Sequence, residues 1–121
     1  MARILLVEDD LWSRRLAFEL LELRGHDVLC AAGVTDGRAQ LDTVKFDAVL
    51  LDINIPGGGG ELLLHEIREY NAVMPVIAFT ASTMAGDRAR FLAEGFTGHV
   101  AKPIDVKSFA HTIEQFLTTP A

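Results

Sequence analysis

Cysteine is almost missing from this chain: Cys30 stands alone among 121 residues. A single thiol cannot close an intramolecular disulfide, which excludes a stapled framework and fits an intracellular location. Cys30 lies in an apolar stretch and reads as a small strand filler rather than a reactive thiol. Bases are also scarce, 11 against 17 acids, for a net charge of −6. Proteins that grip a phosphate backbone carry a basic face, so direct nucleic-acid binding is not expected. Half the residues are hydrophobic, yet no run approaches the roughly 18 apolar residues that span a bilayer. Met1-Ala2-Arg3-Ile4 leads straight into an apolar run and leaves no room for a signal peptide. Repeats, low-complexity tracts and Pro/Ser-rich linkers are absent too. A single domain over residues 1–121, cytoplasmic and away from membranes, is therefore expected. His26, His65 and His111 have no partner histidine at metal-binding spacing and are expected to be exposed helix or loop residues.

What is present is an ordered series of short apolar runs. Ile4-Leu5-Leu6-Val7 ends in Glu8-Asp9-Asp10, and Ala48-Val49-Leu50-Leu51 ends in Asp52. Val76-Ile77-Ala78-Phe79 ends in Thr80, and the run around Val100-Ala101 ends in Lys102-Pro103. Apolar runs of this length, separated by helical patterns, read as buried strands of a parallel sheet. The spacing predicts strands near 3–7, 27–31, 47–51, 75–79 and 97–101. Helices follow at 11–24, 35–44, 60–70, 84–94 and 105–117. Asp10 is a natural N-cap for the first helix and Gly25 its stop, with Leu16, Leu20 and Leu23 as the stripe facing the sheet. Gly33 and Gly37 punctuate the second connection. Five βα units in this length give an open, doubly wound α/β sheet of flavodoxin-like type, order 2-1-3-4-5.

That order sets the ends of strands 1 and 3 side by side, where ligands bind in such sheets. Glu8, Asp9 and Asp52 then form three close carboxylates, which raise one another's pKa unless a cation intervenes. Mg²⁺ is the hard cation that takes one or two carboxylates, keeps waters and completes its shell with phosphate oxygens. Thr80 can donate a hydroxyl to a phosphoryl oxygen, and Lys102 can pair with Asp52 or with phosphate. Pro103 permits a cis peptide that would hold the lysine inward. Asp52, between the metal side and the lysine side, is the best-placed nucleophile, and a carboxylate attacking phosphorus yields an aspartyl phosphate. Each residue alone has a plainer role as a cap or a solvated strand end. Their convergence from distant parts of the chain is what favours the chemical one.

The segments Ile4–Asp10, Leu50-Leu51-Asp52-Ile53-Asn54-Ile55-Pro56-Gly57, Phe79-Thr80-Ala81 and Lys102-Pro103-Ile104 resemble, in order and over the whole chain, the receiver domain of two-component response regulators. The resemblance implies that Asp52 is the phosphoacceptor and that the catalytic set is Asp52, Thr80 and Lys102. It implies a Mg²⁺ site in which Asp9 and Asp52 bind directly, Glu8 acts through water and Asn54 lends its backbone carbonyl. It also implies a stand-alone regulator whose phosphodonor is a sensor histidine kinase or histidine phosphotransfer protein, with an unidentified downstream protein as target. Self-phosphorylation and dephosphorylation would then be its only catalysis. The first helix would present Leu11, Arg14 and Arg15 to the donor, with Trp12 as a partly exposed packing residue.

Three positions depart from the family pattern. The switch aromatic three residues before the lysine is His99, more polar than the usual ring. Gly57-Gly58-Gly59-Gly60 replaces bulkier residues and reads as a mobile loop beside Asp52, not a phosphate loop, since no Gly-Lys-Ser/Thr follows. Ser82 leaves a small side chain near the path of an attacking water. Other classes fit less well. A flavodoxin-like cofactor binder needs a Ser/Thr-rich loop where this chain has Glu8-Asp9-Asp10. A Mg²⁺-dependent aspartyl-phosphate hydrolase carries its nucleophile at the end of strand 1. A binding module that takes no phosphate would not need every reactive residue.

Overall fold

The computed structural model describes residues 2–55, 59–81 and 86–117. Strands and helices alternate: β1 (Arg3–Val7), α1 (Leu11–Leu23), β2 (Asp27–Ala31), α2 (Val34–Thr43), β3 (Ala48–Asp52), α3 (Gly59–Tyr70), β4 (Val76–Thr80), α4 (Asp87–Glu94), β5 (Gly98–Ala101) and α5 (Phe109–Leu117). The strands form one parallel sheet in the order β2-β1-β3-β4-β5. The central strands β3 and β4 are buried on both faces, as continuous apolar runs require. Side chains alternate across the sheet. Leu5, Val49, Leu51, Val76 and Ala78 pack with Leu63, Leu64 and Ile67 of α3 and Phe91 of α4. Ile4, Leu6, Leu50, Ile77 and Phe79 pack with Ala17 and Leu21 of α1 and with Phe109 and Ile113 of α5. Among the described residues no helix is long and apolar enough to cross a membrane.

Asp10 caps α1 as expected, its carboxylate accepting from the Ser13 N–H at 2.8 Å. Gly25, at φ +89°, closes that helix in the left-handed conformation. The buried stripe of α1 differs in part from the expected one: Leu20 packs half-buried against the core, but Ala17 and Leu21 are its fully buried residues and Leu23 is 83 % exposed. Two nearly equivalent leucine spacings exist on this helix, and the small Ala17 lets it approach the strands. Gly37 lies within α2 rather than in a connection, where an added Cβ would meet Val7 at 3.2 Å. Helix α5 starts at Phe109, four residues later than the apolar pattern suggests. Asp105 holds residues 105–109 in a capping turn instead, accepting from Lys107 N–H at 3.2 Å and Ser108 Oγ at 2.8 Å. The expected start of α4 at 84 lies outside the described residues.

His26 is buried rather than exposed. Its Nδ1 accepts the Ala2 N–H at 3.1 Å, which assigns the neutral ring's proton to Nε2, 2.8 Å from Glu114 Oε2. Arg24 adds a two-pronged contact to the same carboxylate, at 3.0 and 2.6 Å. The Arg24 guanidinium, followed by His26, holds Glu114 down to about 2. His65 and His111 are exposed as expected. Cys30 is half-buried in β2 and its thiol is pushed up by burial, which suits a filler and not a nucleophile.

Candidate functional site

Register alone gathers the site. Val7 pairs with Leu51, so Glu8 and Asp52 follow at adjacent strand ends. Asp52 pairs with Phe79 and Thr80 with Ala101, which sets Thr80 and then Lys102 along the same edge. Side-chain oxygens of Glu8, Asp9 and Asp52 lie within 4.8 Å of one another. Glu8 and Asp52 are buried while Asp9 faces solvent. Thr80 is fully buried, and its carbonyl accepts the Lys102 N–H at 2.8 Å. Lys102 is followed by a cis peptide to Pro103.

The ammonium of Lys102 sits 2.5 Å from Glu8 Oε1 and 3.4 Å from Asp52 Oδ2, and 4.7 Å from the centroid of the Phe79 ring. It therefore leans toward Glu8, a partner that sequence reasoning did not assign to it. The Asp10 N–H holds Glu8 Oε2 at 3.0 Å, and the Asn54 N–H holds Asp52 Oδ1 at 2.9 Å. Arg14 reaches back from α1 to the Glu8 carbonyl at 2.9 Å. Asn54 thus orients the central carboxylate through its own backbone, and Arg14 is more than a surface charge.

Charge does not balance here: three carboxylates face one ammonium. Burial, then the neighbouring Asp52 carboxyl, raise Glu8 to about 7, with Lys102 and the Asp10 N–H opposing. Burial alone would lower Lys102, but Glu8 and then Asp52 push it above its ordinary value. Burial thus dominates at Glu8, whereas at Lys102 the attraction of two carboxylates outweighs it. Glu8 Oε1 is fully buried without a well-directed hydrogen bond, the lysine meeting it only as a close charge. A donor set of carboxylate oxygens with surplus negative charge fits a hard divalent cation.

Two of the four glycines have a different role from the one their composition suggests. Gly59 and Gly60 are buried in the first turn of α3. A Cβ on Gly60 would stand 2.6 Å from the Asp52 carbonyl oxygen, and one on Gly59 would collide with Val34. Gly60 permits close approach of α3 to the backbone of Asp52, and Gly59 its close approach to Val34 of α2. Nothing in a run of glycines separates that role from loop mobility, so the sequence carried no signal for it. Pro56, Gly57, Gly58 and Ser82 lie outside the described residues. His99 is half-buried on β5, its ring centroid 5.5 Å from that of Phe91. Trp12 is 78 % exposed beside Leu11 at 58 %, so it projects from α1 rather than packing.

The sequence matches the response regulator receiver domain family over residues 4–114. It is 32% identical to the protein PilH of Pseudomonas aeruginosa over 119 residues, covering 97% of this chain and 98% of PilH. It is 37% identical over 105 residues to the sensor histidine kinase AruS of the same species, covering 84% of this chain. The chain spans only 10% of AruS, and 7% of the hybrid signal transduction histidine kinase I of Dictyostelium discoideum. Among solved structures, the non-phosphorylated HemR receiver domain of Leptospira biflexa superposes with a TM-score of 0.89 at 29% identity, covering 100% of this chain and 98% of that one. A CheY-like response regulator receiver domain protein from Methanospirillum hungatei gives 0.85 at 26% identity, covering 97% and 94%. Likeness in sequence and fold over nearly every residue leads to one conclusion: the chain belongs to the response regulator receiver domain family of two-component signalling.

Proposed function

We propose that this receiver accepts a phosphoryl group on Asp52 from a phosphohistidine of a sensor histidine kinase or histidine phosphotransfer protein, in a Mg²⁺-dependent reaction in the cytoplasm. The observation that carries the reading is the placing of Asp52: buried, fixed by the Asn54 N–H, with its carboxylate within 4.8 Å of the other two acids and 3.4 Å from the Lys102 ammonium. A carboxylate oxygen of Asp52 attacks phosphorus in line. The phosphorus–nitrogen bond breaks, and the imidazole nitrogen leaves with the electron pair and takes up a proton. Asp9 and Asp52 would hold Mg²⁺ directly, with the Asn54 carbonyl and, through water, Glu8. When bound, the ion supplies positive charge against the phosphoryl oxygens. Lys102 pairs with the transferred group, leaving its contact with Glu8, and Thr80 donates its hydroxyl to a phosphoryl oxygen.

Thr80 and His99 form the switch in this reading, and the change of state passes to a downstream protein rather than to nucleic acid. Leu11, Trp12 and Arg15 on the exposed start of α1, beside the acids, offer the donor a docking surface. The test is mass spectrometry after incubation with Mg²⁺ and a small acyl phosphate. One phosphoryl group is expected on Asp52, and none at that position in Asp52→Asn, which keeps the shape but loses the nucleophile. Uptake by Asp52→Asn at the parent's rate would refute the assignment, whereas slow transfer to Asp9 would not.

A further inference from the structure

Strand β5 meets α4 through His99. Alternation sends Val100 to the core shared with α1 and α5. His99 pairs in register with Ala78, which belongs to the opposite core together with Phe91. Ala78 is small and fully buried, and the rings of His99 and Phe91 stand 5.5 Å apart at 51°. Such a tilted pair is attractive beyond the area it buries.

Phe91 is poorly placed to yield. It is 1 % exposed and packs edge-on against Phe96, with centroids 5.8 Å apart at 81°. The Arg90 guanidinium lies 4.9 Å from its centroid. Arg90 is itself tethered to Asp87 at 3.3 Å and to Glu94 at 3.9 Å. On the other side, Gly98 admits the Phe116 ring of α5 where any Cβ would collide, so β5 is clamped one residue before His99. A movement of His99 must therefore break its contact with Phe91 or carry α4 along.

We infer that Phe91 is a positioning residue for the switch: its ring holds His99 against α4 and sets how readily His99 follows Thr80 when Asp52 is phosphorylated. This rests on the reading of Asp52, Thr80 and His99 given above. An aromatic pair of this kind biases a two-state ratio by about 2- to 12-fold. The same factor should appear in the switch.

The experiment uses histidine-ring NMR and phosphorylation kinetics with a small acyl phosphate and Mg²⁺. It compares the parent with Phe91→Leu, Phe91→Tyr, His99→Ala and the double variant Phe91→Leu/His99→Ala. The free parent should show a nuclear Overhauser contact between His99 and Phe91 that weakens on phosphorylation. Phe91→Leu should phosphorylate about 2- to 12-fold faster, and Phe91→Tyr, which keeps the ring, should restore the parent rate. In the His99→Ala background, Phe91→Leu should add nothing. An equal gain with and without His99 would overturn the inference and leave Phe91 as core packing. If Phe91→Leu does not fold, the parent decides: a contact unchanged by phosphorylation overturns the inference. A parent that takes no phosphoryl group on Asp52 overturns the proposed function itself, and this inference with it.

Discussion

Replacing Gly60 by alanine separates the cost of a tight fold from the cost of a displaced Asp52, the proposed phosphoacceptor. In an ordinary helix turn Gly→Ala gains up to about 1 kcal/mol by restricting the unfolded chain. Here the new Cβ would stand 2.6 Å from the Asp52 carbonyl oxygen and 2.9 Å from the Ile53 Cα. Close carbon–oxygen contacts settle at about 3.3 Å or more, so either the start of α3 or the Asp52 backbone must retreat by about 0.7 Å. Both are main chain, and no rotamer relieves them. Overpacking of this kind costs up to about 3 kcal/mol; against the propensity gain, a net loss of about 1–2 kcal/mol remains. That corresponds to a melting temperature lower by about 4–10 °C. The chemical effect is larger, because a misplacement near 1 Å at a reacting group costs on the order of 100-fold in rate. Gly59→Ala is the control, since its Cβ meets the Val34 side chain on α2 and not the backbone of Asp52. Thermal unfolding and a time course with acyl phosphate should show both variants less stable and only Gly60→Ala slow. Equal phosphorylation rates in the two variants would refute the claim that α3 positions Asp52.

Three further outcomes follow from the electrostatics. Mg²⁺ at ten times its Kd should add about 1.4 kcal/mol of stability by linkage; Asp9→Ala should raise metal-free stability and lose that response in a thermal-shift titration. Glu8 is raised from 4.5 to about 7 in the folded state, so in metal-free protein its contribution is full below about 4.5 and lost as pH rises through about 7. Denaturant unfolding should therefore gain up to about 3 kcal/mol between pH 8 and pH 5, and Glu8→Gln should flatten that window. Glu114 is lowered from 4.5 to about 2, so its contribution is present above about 4.5 and lost as pH falls toward 2. Glu114→Gln should cost about 1–2 kcal/mol at pH 7 after screening and nothing near pH 2, as acid-unfolding curves of the two proteins would show.

The fold was legible because burial on both faces leaves a strand little choice of residue. The short apolar runs through Leu50-Leu51 and Ile77-Ala78-Phe79, bounded by turn signals, read as central strands of a layered sheet, and the polar residues after them mark its edge. Helix borders were less legible. The start of α5 is decided by the Asp105 side chain competing for backbone N–H groups, which hydrophobic spacing does not register. Glu8, Asp52, Thr80 and Lys102 were recoverable as a group since register carries them to one edge whatever their rotamers. That Lys102 leans on Glu8 was not recoverable, because it depends on side-chain geometry and on competition between two carboxylates. His26 was misread for a related reason: its hydrogen-bond partners Ala2 and Glu114 are far from it in sequence and near only after folding.

The strand-end address of the reactive groups also bears on how such a domain can be reused. Glu8, Asp52, Thr80 and Lys102 stand at the strand ends, while solvent-facing helix residues such as Trp12, Leu62, Tyr70 and Leu92 make no contact with them. Substitutions on those outer helix faces leave the acid–lysine cluster at the strand ends in place. The outer faces and the strand-end cluster can then drift independently, so one such edge can be carried among proteins that share little else. A chain 37% identical to a segment making up 10% of a kinase, and 32% identical to nearly all of a small protein, is what that freedom would leave behind.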